Sequence, residues 1–150
     1  MQAMSKTQLT PYEVDYARWC AEQGALLRDG DLHALDRENL AGEIEGLGRS
    51  DKREIEGRLN VLLVDLLLWK YLPGQRSGKK RAQITEQRWR IARVIKDSPS
   101  LGGHPAKVLK VEYALARKSA FVESAAVEET FPDQCPFPTS QILDLEFFPE

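Results

Sequence analysis

LAGEIEGLGRSDKREIEGRLNVLLVDLLLW, residues 40–69, is the stretch whose reading decides the fold. Leu40, Ile44, Leu47, Ile55, Leu59, Leu62, Leu66 and Trp69 follow one another by steps of 4, 3, 8, 4, 3, 4 and 3, the spacing of one helix face. The gap of eight is two steps of four, with Asp51 in the seat between Leu47 and Ile55. Gly48 and Ser50 would ordinarily signal the end of one helix and the start of the next. The stripe nevertheless keeps its phase through Gly46, Gly48 and Ser50, so the spacing predicts one helix from Asp36 to Tyr71, stopped by Leu72-Pro73-Gly74. Each interior glycine costs such a helix about 1 kcal/mol relative to alanine.

Working outward, Thr10-Pro11-Tyr12-Glu13 reads as a helix start, with a Thr cap, Pro at the first helical position and Glu completing a capping box. Tyr12, Tyr16, Trp19 and Gln23 recur on one face, and Asp29-Gly30-Asp31 supplies the stop. On the other side, a basic helix is expected over 79–96, with Ile84, Ile91, Val94 and Ile95 as a narrow apolar edge. Asp97-Ser98-Pro99-Ser100 breaks it. A further helix runs from His104 or Pro105 to Val127, with Val108, Leu109, Leu115, Ala116 and Val122 expected inside. FPDQCPFP, residues 131–138, is too rich in proline for a helix and is followed by a short turn over Ser140–Leu145. The expected fold is therefore all-α, a bundle of about four to five helices around one long central helix with an extended proline-rich C-terminal tail. Residues 1–10 read as a flexible N-terminus and 11–150 as a single domain.

At 150 residues, with 42% hydrophobic and 29% charged residues, the chain suits one hydrophobic core. The run from Asn60 to Trp69 is interrupted by Asp65 and is far shorter than the ~20 residues of a membrane crossing. The N-terminus, MQAMSKTQLT, lacks the apolar core of a secretory signal, so a cytoplasmic location and no membrane association are expected. Cys20 and Cys135 lie 115 positions apart and read as free thiols. Cys135, between Gln134 and Pro136, reads as a buried group clamping the tail rather than as a nucleophile.

The net charge of -2 conceals a sharp asymmetry. Residues 75–96 carry eight Lys or Arg against Glu86, a local +7, whereas residues 119–150 carry seven acids and no base. Lys79, Lys80, Arg81, Arg88, Trp89, Arg90 and Arg93 form the candidate binding cluster, since clustered cations neutralise phosphates and an indole can stack on a base. Internal pairing with the chain's own acids is the preferred reading. Asp51, Arg58 and Asp65 are spaced by sevens and form a polar line beside the apolar stripe. A structural ion-pair network is the preferred reading of that line, and an inward carboxylate site the alternative. His33 and His104 stand apart from it, at a loop and a helix start, so neither a metal nor another cofactor is expected. The chain contains no phosphate-binding glycine loop, no GxSxG and no HExxH pattern. Three functional readings follow: a non-enzymatic interaction module that binds a protein partner or itself, nucleic-acid binding through 79–96, and a carboxylate-based bundle enzyme.

Six segments carry a resemblance: YEVDYARWCAEQGALLRDG from Tyr12, LDRENLAGEIEGLGRSDKREIEGRL from Leu35, WKYLP from Trp69, ITEQRWRI from Ile84, FPDQCPF from Phe131 and LDLEFFP from Leu143. In their order and spacing the chain resembles the bacterial family of the domain of unknown function 29. The resemblance implies an all-α fold and brings no established activity. In the family pattern a histidine often occupies the seat held here by Asp65, and a tryptophan the seat of Lys80 or Arg81. A metal role through that histidine therefore does not transfer to this chain.

Overall fold

The computed structural model describes residues 9–150, apart from the side chain of Glu128. The expected flexible stretch thus lies, for residues 1–8, outside the described residues. Among the described residues five α-helices follow in order: α1 Tyr16–Asp29, α2 Arg37–Tyr71, α3 Gly78–Asp97, α4 His104–Ser124 and the single turn α5 Thr139–Ile142. No strand occurs among the described residues. The chain divides into two compact units, a smaller one that ends at Arg49 and a larger one over Ser50–Glu150.

The smaller unit holds α1 and the first turns of α2. The helix expected from Pro11 starts instead at Tyr16, capped by Asp15, whose Oδ1 accepts from the Arg18 N–H at 3.0 Å. The reason is local competition for Thr10. Its hydroxyl and its N–H both donate to the Glu22 carboxylate, at 2.9 and 2.7 Å, so the side chain is not available as a cap. Pro11 to Val14 then forms only one turn. Gly30, at φ 74, closes the helix where the sequence places its stop, in a left-handed conformation that costs glycine little. Trp19 and Gln23 are buried and meet the start of α2. The Trp19 indole donates to Asp36 Oδ2 at 3.0 Å, and Gln23 Oε1 accepts from the Asp36 N–H at 2.8 Å.

Helix α2 runs through Gly46, Gly48 and Ser50 without a loop, as the phase of its stripe requires. Its character changes along its length. Ile55, Leu59 and every residue from Leu62 to Trp69 are buried, so its last turns are enclosed all round, the mark of a central helix. At the other end of the same stripe, Ile44 and Leu47 are 67% and 70% exposed.

Around the buried half of α2, α3 contributes Ile84 and Ile91 and α4 contributes Pro105, Tyr113, Ala116 and Ala120. The inner face of α4 differs from expectation, since Leu115 is 49% and Val122 78% exposed. Apolar residues occupy both sides of this helix, and periodicity alone cannot rank them. The side is chosen by Tyr113, whose hydroxyl donates to the Pro132 carbonyl, and by Ala116 and Ala120, which are fully buried and small enough to let backbones approach closely. The helix stops at Ser124, three residues short of Val127, where Ala125 adopts φ 54. Residues 131–138 form neither helix nor strand, and their Phe131 and Phe137 are buried in the same core as Ile142 of α5. Cys135 is half-buried, and its thiol donates to the Phe137 carbonyl at 3.3 Å. Burial pushes that thiol's pKa up, away from nucleophilic use. Among the described residues no helix is long and apolar enough to cross a membrane.

Candidate interaction surface on helix α3

Ser77 starts α3 by accepting the Lys80 N–H on its hydroxyl at 3.1 Å. Ile84 and Ile91 then turn inward. Two cations lie on the same edge, because Lys80, Ile84, Arg88 and Ile91 are spaced by 4, 4 and 3. The seven residues of the sequence-based cluster are consequently divided by the fold.

Arg88 is only 2% exposed and does not belong to a binding face. Its Nε donates to the Ile142 carbonyl at 2.7 Å and its Nη2 to that of Gln141 at 3.4 Å, closing the end of α5, while the guanidinium lies 5.4 Å from the Phe148 ring centre. Nη1 has no partner among the described residues. Burial lowers the pKa of Arg88, partly offset by the nearby Asp144 carboxylate. Lys80 is also withdrawn: its Nζ stands 3.5 Å from Asp65 Oδ1, with both side chains largely covered. Arg81 spreads over the Phe148 ring at 4.2 Å and Arg90 pairs with Glu86 at 2.8 Å. Lys79, Arg93 and Lys96 have exposed side chains and enter no ion pair among the described residues.

The compensation inferred from charge totals operates by a different route. The C-terminal segment does reach the basic region, but through carbonyls and aromatic faces. Arg76 donates to Trp69 O at 2.7 Å and Pro149 O at 3.3 Å, beside the Arg88 and Arg81 contacts. Among the described residues, no acid of 119–150 forms an ion pair with a cation of 75–96. Backbone oxygens can take the place of carboxylates because a guanidinium carries five N–H donors in a planar fork.

The polar line of α2 is likewise three separate contacts. Asp51 accepts from Ser98 Oγ at 3.4 Å; Arg58 meets Glu54 at 3.6 Å and Gln87 at 3.3 Å; Asp65 meets Lys80. Seven residues of helix separate neighbouring members by roughly 10 Å, too far to share one ion. Burial raises the pKa of Asp65, the Lys80 ammonium opposes that shift, and Glu123 adds to it. Asp65 Oδ2 has no partner among the described residues. His104 Nε2 lies 3.0 Å from Glu56 Oε1, and His33 is exposed in the turn Leu32–Ala34. Among the described residues no group of three or more His, Cys, Asp or Glu is placed to hold a metal ion.

The outer side of α3 presents a different chemistry. The Trp89 indole is 61% exposed. It opens onto a groove of about 930 Å³ walled by Asp51 and Glu54 of α2 and by Arg81, Thr85, Arg90 and Arg93 of α3. A smaller hollow of about 310 Å³ continues from Arg81, Thr85 and Trp89 to Leu145 and Phe148. Both signs of charge surround an exposed aromatic. Sequence reasoning found Trp89 but missed Asp51 and Glu54 as the opposite wall, because only the packing of α2 against α3 brings them there. It also missed the cluster in the smaller unit, where Tyr12 and Tyr16 both donate to the Glu43 carboxylate beside Trp19. The visible signal was the spacing of Tyr12, Tyr16 and Trp19; their acceptor lies in another helix.

No curated protein and no solved structure matches the chain. A family model does, over residues 11–148, a range that includes all five helices. The chain belongs to the family described as Domain of unknown function DUF29.

Proposed function

We propose that this protein is a non-enzymatic helical interaction module that receives a protein segment in the groove along α3. The observation that carries the reading is Trp89, a large aromatic left 61% exposed in a groove of about 930 Å³ among arginines. Tryptophan and arginine are the residues on which interface energy concentrates, and a groove between helices is a common seat for an amphipathic helix. Charge placement argues against nucleic acid as the preferred ligand. Of the eight cations in 75–96, Arg76, Lys80, Arg81, Arg88 and Arg90 are engaged within the chain, leaving Lys79, Arg93 and Lys96. With these three as the phosphate contacts of α3, log K should fall against log salt with a slope of about -2.7 on duplex DNA.

The test is affinity capture from the native cell with the full chain and with Trp89→Ala, each with and without nuclease. The reading predicts proteins that survive nuclease on the parent chain and disappear with Trp89→Ala, the variant's helical content being unchanged. Retention that depends on nucleic acid, together with a salt slope well beyond three phosphates, would replace it with the nucleic-acid reading.

A further inference from the structure

The larger groove and the smaller hollow beside α3 meet at Arg81, Thr85 and Trp89, the residues common to both. These three follow one another by steps of 4 and 4 on one helix face. Helical side chains lean toward the start of the helix, so the exposed Trp89 indole leans over Thr85 toward Arg81.

Arg81 is held in place by aromatic rings. Its guanidinium lies 4.2 Å from the centre of the Phe148 ring and 5.6 Å from that of Trp69. Phe148 is itself fixed, 5.3 Å from Trp69 and 5.4 Å from the buried Arg88 guanidinium. Stacking uses the face of a guanidinium and leaves the N–H donors that radiate in its plane. Among the described residues the Arg81 guanidinium donates no hydrogen bond and enters no ion pair. The carboxylates around it do not supply its counter-charge. Glu86 pairs with Arg90 at 2.8 Å, and Glu146, across the smaller hollow, forms no ion pair with Arg81. Asp51 lies at the far end of the groove against Ser98, 17 positions beyond Arg81, which is roughly 25 Å along the helix.

Taking the groove as the seat of a protein segment, as proposed above, we infer that Arg81 selects an acidic residue in that segment. An aspartate or glutamate carboxylate takes the free Arg81 fork while a neighbouring apolar side chain of the same segment covers Trp89. The two oxygens of a carboxylate match two parallel N–H donors of a guanidinium. An arginine already held between rings loses little further freedom on binding, so the contact favours affinity as well as selection. The occupant carries one carboxylate at this point and not a run of anions, because a phosphate chain continuing past Arg81 would meet Glu86 or Glu146.

The test selects binders from a library of short random peptides on the full chain and measures them by fluorescence anisotropy. Peptides whose binding is lost in Trp89→Ala should share an aspartate or glutamate beside an apolar residue. Replacing that acid by its amide should weaken binding to the parent roughly tenfold, and Arg81→Gln should weaken binding of the unaltered peptide by as much. Arg81→Lys should recover only part of the loss, because an ammonium lacks the planar fork. Arg81→Glu should bind the peptide in which the acid has become arginine, a recovery that a merely structural role of Arg81 does not give. Circular dichroism checks that helicity is retained, and the peptide substitutions read the same contact on the unaltered chain. Peptides that need Trp89 but carry no acid, or bind Arg81→Gln as tightly as the parent, overturn the inference and leave the groove as a peptide site. So does a charge exchange without recovery, or displacement of the acidic peptides by mixed-sequence RNA at physiological salt. If no selected peptide depends on Trp89, both proposals fail.

Discussion

At the scale of single residues, the buried charges Arg88 and Asp65 show opposite ways of leaving water. Arg88 replaces its hydration with two backbone carbonyls and an aromatic face, and in doing so ties the C-terminal turn to α3. Asp65 has one ammonium and one unpartnered oxygen, and burial raises its pKa despite Lys80. A raised carboxyl pKa means that the folded state holds the proton more tightly than the unfolded chain. Its favourable contribution is complete below the unfolded value of about 4 and is lost as pH rises through the folded value. Asp65→Asn removes that dependence. Unfolding by denaturant should therefore show the parent losing stability relative to Asp65→Asn as pH rises from about 4, reaching a constant difference once Asp65 is ionised in both states. A difference that stays flat, or runs the other way, would mean that Lys80 outweighs desolvation.

At the scale of elements, α2 is the informative case. It is 35 residues long and contains Gly42, Gly46, Gly48 and Gly57, all in helical geometry. Glycine in a helix interior carries a backbone entropy cost that burial must offset. A Cβ at Gly48 meets nothing within 4 Å, and its backbone does not require a positive φ. Gly48→Ala should accordingly stabilise the chain by about 1 kcal/mol, measured by chemical denaturation in dilute solution. Destabilisation would indicate a break between Leu47 and Asp51. Helix α4 supplies the contrasting lesson. Its period is clear, but Tyr113 and two alanines decide which side is buried, so the larger Leu115 and Val122 are left outside.

At the scale of the whole molecule, the two compact units differ in what maintains them. The larger one is built on a continuous apolar core with Asp65 at its margin. The smaller one relies on carboxylates that accept hydrogen bonds: Glu22 from Thr10, Asp36 from Asn39 and Trp19, and Glu43 from Tyr12 and Tyr16. Those bonds lower all three pKa values. A lowered carboxyl pKa contributes stability that is present above the unfolded value and is lost as pH falls through the folded one. Acidification from about pH 5 should thus loosen the smaller unit before the larger. Amide exchange resolved along the chain checks this directly: protection in α1 should fall while that of residues 59–69 persists. Simultaneous loss in both would mean that the carboxylate contacts are not what limits the smaller unit.

The elements themselves were legible in the order of residues. The uninterrupted phase from Leu40 to Trp69 called for one helix, Pro73 marked its end and Gly30 that of the helix before it, and the basic helix expected over 79–96 is observed over 78–97. These are local properties, settled by helical period and by the few residues that stop a helix. Only tertiary structure decided which cations face water, which side of α4 is inside, and what Thr10 does with its hydroxyl. Lys80 and Arg88 share an edge with Ile84 and Ile91, a placement visible in the sequence. Their burial became acceptable only because Asp65 and the carbonyls of Gln141 and Ile142 lie across from them. The charge totals of two segments cannot contain that information. The cost of removing a cation from water depends on the particular atoms that replace it, and those atoms come from chain tens of residues away.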